Sequence, residues 1–170
     1  MKKLVFVFTT LVALTFSQTA TAQKTIVDAA VSNENFSTLV TALKAADLVS
    51  ALQGDGPFTV FAPTNDAFAK IDKATLGSLL KPENKETLAK ILTYHVVPGK
   101  LMASDVVAAL KKGKGSVEVK TLAGQILTVM QKDGKIWLKD QAGNYSEITA
   151  TDVKGSNGVI HVIDTVVMPK

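Results

Sequence analysis

The 170-residue chain contains no cysteine and no arginine, and it has only two histidines and one tryptophan. Without cysteine the chain can form no disulfide, and it lacks the thiolates that structural zinc sites use most often. Proteins that bind nucleic acid rely on arginine forks and basic-aromatic surfaces, so the composition argues against a nucleic-acid partner. After residue 22 no apolar run is long enough to span a bilayer.

Residues 1–22 have the pattern of a secretory signal peptide. Lys2 and Lys3 precede an apolar run from Leu4 to Phe16, and Ala20–Ala22 supplies the small residues of a cleavage site. We therefore expect a secreted, periplasmic or cell-surface protein, with one domain over residues 23–170. Loss of the two lysines leaves 17 of the 19 basic residues against 15 acidic ones, so the formal net charge falls from +4 to +2.

The spacing of apolar residues changes along residues 23–170 and predicts an α+β domain. Helical spacing in the first half predicts helices at 25–30, 35–46, 48–52, 65–71, 76–80 and 83–92. The second half predicts strands at 93–97, 117–119, 125–130, 135–139, around 148 and at 159–167, with one short helix at 104–110. Asp133-Gly134 predicts a hairpin turn between two of these strands.

The stretch from Phe58 to Phe68 predicts a corner between a strand and a helix. Its β-branched and aromatic residues favour a buried strand, which Pro63 ends because proline has no N–H for a sheet. Thr64 and Asn65 offer side-chain oxygens to cap a helix, and Phe68 would face the core from that helix. The stretch contains no nucleophile–base pair and no phosphate loop, so we interpret it as structural.

The two histidines, His95 and His161, lie in predicted strands. The chain has no His-x-x-x-His spacing and no serine in a Gly-x-Ser-x-Gly setting, so neither a zinc site nor a hydrolase site is indicated. We interpret each histidine as half-buried and hydrogen-bonded across the sheet, with metal binding or catalysis as the alternative. Because Tyr94 precedes His95 in a predicted strand, we expect one of them in the core and the other at the surface.

The single tryptophan lies in a predicted strand of alternating character. Trp137 shares a face with Lys135 and Lys139, so we expect it to be partly exposed. It is either a contact residue or part of an amphipathic edge that packs against lysine stems.

Three motifs, in order, resemble those of a fasciclin-like domain. Phe58–Phe68 resembles the first fasciclin box, Ile91–Gly99 the tyrosine–histidine motif, and Asn157–Asp164 the second box. The resemblance implies N-terminal helices packed on a β-wedge of mainly antiparallel strands, with the two boxes as adjacent core strands. The residues that would form the structural motif are Thr59, Phe61, Pro63, Thr64, Asn65, Phe68, Asn157, Gly158 and His161.

The resemblance also implies a non-enzymatic extracellular module for cell adhesion or matrix attachment. Its partner would be an extracellular protein or polysaccharide, and it would need no cofactor or metal. In animal relatives the tyrosine–histidine motif and an Asp-Ile pair before the second box are linked to integrin binding. The matching residues here are Tyr94, His95, Asp152 and Val153, where valine replaces isoleucine.

Two other functions are compatible with the sequence. One is a carrier of a small apolar ligand, such as a porphyrin, with His95 or His161 in contact with it. The other is a hydrolase, because paired carboxylates can meet in space without any pattern in the sequence.

Overall fold

The computed structural model describes residues 24–170, so the predicted signal peptide lies outside the described residues. The helices are α1 (Ile26–Val31), α2 (Ser37–Ala45), α3 (Val49–Gln53), α4 (Asn65–Ala69), α5 (Lys73–Leu79), α6 (Lys85–Tyr94) and α7 (Ala103–Lys112). The strands are β1 (Phe58–Pro63), β2 (Val96–Pro98), β3 (Ser116–Lys120), β4 (Ile126–Lys132), β5 (Lys135–Lys139), β6 (Tyr145–Gly155) and β7 (Gly158–Ile163). Two short 3₁₀ turns cover Glu34–Phe36 and Pro82–Asn84.

The seven strands form one sheet in the order β2-β1-β7-β6-β5-β4-β3. Only the β1–β7 pair is parallel among the described strands, and the other pairs are antiparallel. The predicted α+β class, with helices on a mainly antiparallel sheet, is confirmed. β1 and β7 contain the two box motifs, and they pair residue by residue from Phe58 opposite Gly158 to Pro63 opposite Ile163.

Strand β6 joins the two parts of the sheet, β2-β1-β7 on one side and β5-β4-β3 on the other. Its N-terminal end pairs with β5 and its C-terminal end pairs with β7. The register with β7 shifts between Ile148 and Ala150 and again between Ala150 and Val153. Such bulges bend a strand and increase its local twist.

Two apolar clusters lie on opposite sides of β1. Val60 and Ala62 belong to a cluster formed with helices α1, α2, α4 and α6. Phe61, between them in sequence, belongs to a second cluster with α7 and the inner face of β4 and β5. Successive side chains of a strand point to opposite faces, so this one strand contributes to both cores.

The corner that follows β1 links two helices. The Thr64 hydroxyl accepts a hydrogen bond from the Ala67 amide at 3.3 Å and caps α4, which ends at Ala69 rather than near Ile71. Asn65 caps a different helix, since its side-chain oxygen accepts from the amide of Thr38 in α2 at 3.0 Å. The corner therefore fixes the start of α2 as well as its own helix.

Asn157, in the turn between β6 and β7, joins three distant segments. Its side-chain oxygen accepts from the Ile26 amide at 3.0 Å, at the start of α1. Its side-chain nitrogen donates to the Leu52 and Gly54 carbonyls at 2.8 and 2.9 Å, at the end of α3. Its own carbonyl accepts from the Phe58 amide at 3.0 Å, where β1 begins.

The neighbouring Gly158 lets two backbones meet. A Cβ atom at this position would lie 2.2 Å from the Phe58 carbonyl oxygen, which is far inside van der Waals contact. Any other residue would therefore push β7 away from β1 at the first pair of their register.

We expect Asn157→Ala to lower the free energy of unfolding by about 1–3 kcal/mol, because the substitution leaves the Ile26 amide and two carbonyls without their partner. Urea denaturation measures the change. Asn35→Ala is the matched control, since the Asn35 side chain is exposed and makes no hydrogen bond to a described residue. Equal denaturation midpoints for the two variants would contradict the role assigned to Asn157.

Candidate functional site

Tyr94 and His95, at the centre of the tyrosine–histidine motif, lie at the end of a helix and not in a strand. Tyr94 is the last residue of α6, His95 is its C-cap, and the strand predicted at 93–97 begins only at Val96. The helix extends this far because His95 follows Leu88 and Ile91 at helical spacing, on the buried face of α6. The motif is rich in β-branched residues, and this composition predicted a strand where the helical spacing in fact continues.

Both side chains of the motif are buried, so the prediction that one of them lies at the surface is wrong. Tyr94 is 0% exposed and His95 is 2% exposed. The Tyr94 hydroxyl donates to the Ile126 carbonyl at 2.9 Å and so ties α6 to the start of β4. Burial raises the pKa of that hydroxyl. Neither ring offers surface to a partner in this fold.

The contacts of His95 determine which of its nitrogens carries the proton. Nδ1 lies 2.8 Å from the Ile91 carbonyl oxygen, which can only accept, so Nδ1 is the donor. Nε2 accepts from the Val167 amide at 3.2 Å, beyond the end of β7. Burial lowers the pKa of His95 to about 4, although the hydrogen bond to Ile91 acts in the opposite direction. The ring is therefore neutral at neutral pH.

His161, on β7, has the opposite arrangement. Its Nε2 donates to the Leu101 carbonyl at 2.7 Å, and its Nδ1 accepts from the Asp152 amide at 3.4 Å. The ring is 1% exposed and packs against Phe61, with ring centroids 5.8 Å apart. Both histidines are thus fully buried rather than half-buried, and both are bonded to the main chain.

Residues 99–103, between β2 and α7, are held by three side chains of the sheet. The Thr59 hydroxyl donates to the Gly99 carbonyl at 2.7 Å and accepts from the Leu101 amide at 2.9 Å. His161 holds Leu101 from the other side. The Asp152 carboxylate accepts from the Ala103 amide at 2.9 Å, at the first residue of α7.

Asp152 and Val153 lie within β6, at the second register shift, and not in a loop. Asp152 adopts a left-handed backbone conformation with φ of 61°, and its carboxylate accepts a hydrogen bond from the first residue of α7. The side chain of Asp152 therefore has a structural contact of its own, to the start of α7. Val153 is 39% exposed and presents an apolar side chain beside it.

The outer face of β4, β5 and β6 contains a groove lined by Met130, Lys132, Trp137 and Tyr145. Trp137 is half-buried and shares its face with Lys135 and Lys139, as the alternation predicts. The sequence reasoning missed Tyr145, which is 48% exposed. The turn at 142–144 and the alternation after it were the available signal, but the pairing register of β6 was needed to place Tyr145 beside Trp137.

Among residues 24–170, no three histidine, aspartate or glutamate side chains come together in a group that could hold a metal ion. Within the same residues, no helix is long and apolar enough to cross a membrane.

Comparison with known proteins places these features in a family. The family model of the fasciclin domain matches residues 34–169. Protein sll1483 of Synechocystis is 56% identical over 154 residues, which are 90% of this chain and 78% of that protein. The cell surface glycolipoprotein MPB83 of Mycobacterium bovis is 35% identical over 153 residues, which are 87% of this chain and 62% of that protein.

The fold also resembles a solved structure of a FAS1 domain pair from the insect cell adhesion molecule fasciclin I. The two superpose with a TM-score of 0.74 at 21% identity, over 84% of this chain and 50% of that one. With the family model matched over most of its length, the chain belongs to the fasciclin-domain family.

Proposed function

We propose that this protein is a non-enzymatic interaction module, secreted or held in the periplasm or at the cell surface. It attaches to an extracellular protein or polysaccharide by surface complementarity, without a cofactor.

The observation that carries this proposal is the state of the two histidines. All four ring nitrogens bond to main-chain groups, those of Ile91 and Val167 for His95 and those of Leu101 and Asp152 for His161. A general base or a metal ligand needs a free ring nitrogen that faces a reactant or a metal. Both residues hold the fold in this structure, and what remains for recognition is the surface.

The names of similar proteins support attachment at a cell surface. MPB83 is a cell surface glycolipoprotein, and fasciclin I is a cell adhesion molecule. The signal-peptide pattern of residues 1–22 supports export through a membrane. The surface of residues 24–170 carries exposed apolar side chains that could form such contacts, among them Val153 and Tyr145.

The hydrogen bonds of the two histidines do not favour the carrier hypothesis. A ligand held by His95 or His161 would have to break a hydrogen bond to a buried main-chain group, which costs about 1–3 kcal/mol when that group is left unpaired. The hydrolase hypothesis needs two carboxylates that face one cleft, and the groove lined by Met130, Lys132, Trp137 and Tyr145 contains none.

Asp152 and Val153 are the proposed contact residues that the family motif indicates. Asp152 contributes by fixing the bulge of β6, and Val153 contributes by exposed apolar area. We expect Val153→Glu to weaken saturable binding of the protein to isolated cell-envelope material about tenfold, since a charge replaces apolar contact area. Retention of labelled protein, with unlabelled protein as competitor, measures the effect.

Val31→Glu is the matched control for this experiment, because Val31 is a valine that is 56% exposed at the last position of α1, outside the sheet. Equal retention of the Val153 and Val31 variants would reject the contact at β6. Failure of the unsubstituted protein to bind saturably to envelope or matrix material would reject the proposed function itself.

We expect His161→Ala to lower the free energy of unfolding by about 1–3 kcal/mol, because the Leu101 carbonyl and the Asp152 amide lose their partner. Thermal unfolding followed by circular dichroism measures the loss. A melting temperature equal to that of the unsubstituted protein would show that the ring does not hold residues 99–103.

Stability should also depend on pH through His95. Its pKa is lowered from 6.5 to about 4 in the folded protein, so only the unfolded chain binds the proton between these values. The free energy of unfolding should therefore fall by up to about 3 kcal/mol as the pH drops from 6.5 to about 4. His95→Gln, which does not titrate, should lose this part of the slope. Parallel pH curves for the two proteins would contradict the assignment.

A further inference from the structure

None of the residues that line the groove on the outer face of β4–β6 takes part in the hydrogen bonds of the two histidines or of Asp152. The groove encloses about 290 Å³ between Met130, Lys132, Trp137 and Tyr145. Trp137 pairs with Glu147 across β5 and β6, and Tyr145 pairs with Lys139. The two aromatic rings are thus diagonal neighbours on adjacent strands, a position in which side chains stand about 7–8 Å apart.

Positive charge surrounds these rings. Lys139 places its ammonium 5.6 Å from the centre of the Tyr145 ring. Lys132 lines the groove, and neither Lys132 nor Lys139 forms an ion pair with a described residue. Lys135, by contrast, is neutralised by Glu147 at 2.8 Å. The groove therefore combines two aromatic rings with two lysines that lack an acidic partner among residues 24–170.

The indole of Trp137 has an unmet hydrogen bond. Its Nε1 is shielded from solvent and has no partner among the described residues. A buried donor without an acceptor costs free energy, and it is satisfied when an acceptor reaches it. The neighbouring Met130 and Lys132 side chains are long and flexible, so small rotations could admit an oxygen atom of a ligand.

The chemistry of the groove selects a class of ligand. The face of a pyranose ring presents polarised C–H groups, which pack on the negative face of an aromatic ring. Carboxylate or sulfate groups on such a sugar would meet the lysines, whose compact charges do not demand the two-point geometry of an arginine fork. An open groove on a flat sheet suits a chain that lies across it.

We propose that the outer face of β4–β6 binds an acidic polysaccharide, with pyranose rings stacked on Trp137 and Tyr145 and acid groups at Lys132 and Lys139. This inference deepens the proposed function, since it rests on the polysaccharide branch of the partner class and assigns it a surface distinct from Val153.

The single tryptophan makes the site its own reporter, because all indole fluorescence comes from residue 137. We expect carboxymethyl-dextran to change this fluorescence saturably and to bind more weakly as sodium chloride is raised. Unmodified dextran has the same rings without charge, and poly-glutamate has the charge without rings. Each should bind at least about tenfold more weakly, since it lacks one of the two contributions.

Variants of the groove residues give the second readout. Calorimetric titration is carried out in parallel, so that binding is measured even where the fluorescence does not change. Tyr145→Ala should weaken carboxymethyl-dextran binding about tenfold through lost stacking. The double variant Lys132→Gln/Lys139→Gln should weaken it about fivefold to tenfold. The double variant Lys81→Gln/Lys111→Gln has the same net charge, changes exposed lysines elsewhere, and should bind as the unsubstituted protein does.

Equal affinity for dextran and carboxymethyl-dextran would overturn the proposal, as would equal affinity of the groove variants and the control. Poly-glutamate binding as tightly as carboxymethyl-dextran would assign the face to an acidic protein instead, and would also overturn it. If the proposal fails while the protein still binds envelope material saturably, the proposed function stands. If the unsubstituted protein does not bind envelope material saturably, the proposed function itself is rejected, whatever the result at the groove.

Discussion

The parallel pairing of β1 with β7 is the constraint on which the rest of this fold depends. The two strands lie about a hundred residues apart in sequence, yet their main chains meet in register over their whole length. Gly158 allows the first contact because no Cβ atom intrudes on the Phe58 carbonyl. Asn157 then attaches the starts of α1 and β1 and the end of α3 to the same point. Since β1 contributes to both apolar clusters, a displacement of this pair would disturb the two cores together.

A second principle is that the buried polar side chains of the motifs bond to main chain rather than to one another. Thr59 and His161 hold the segment that leads into α7, and His95 holds the segment that follows β7. Each side chain satisfies a carbonyl or amide that lies outside regular secondary structure, where no ladder partner exists. The residues that make the family recognisable are therefore connectors of elements, and this explains why the most distinctive side chains are the least exposed.

Local chemistry allowed much of this structure to be predicted. The turn at Asp133-Gly134 has φ values of 53° and 77°, as a primed hairpin turn requires, and alternation alone placed Trp137 on a face with lysines. The predictions failed where two sequence patterns overlap, or where a residue's hydrogen-bond partner is distant in the sequence. The residues at the end of α6 satisfy both a β-branched composition and a helical stripe. The helix prevailed because Ile91 and Leu92 pack into one apolar cluster while Tyr94 packs into the other. The long β6 was predicted only around residue 148, because its bulges interrupt the alternation. The bond from Asn65 to α2 has no local signal at all.

The position of β7 also bears on how the chain is made. β7 lies between β1 and β6, so it joins the strands of the helical half to the strands of the meander. Synthesis proceeds from the N-terminus, and β7 is therefore produced after the other six strands. Until it emerges, β1 lacks its parallel neighbour, and β6 lacks the strand that pairs with its C-terminal end. Contacts of such large sequence separation form slowly. The sheet is therefore completed only when the last strand of the chain has been made.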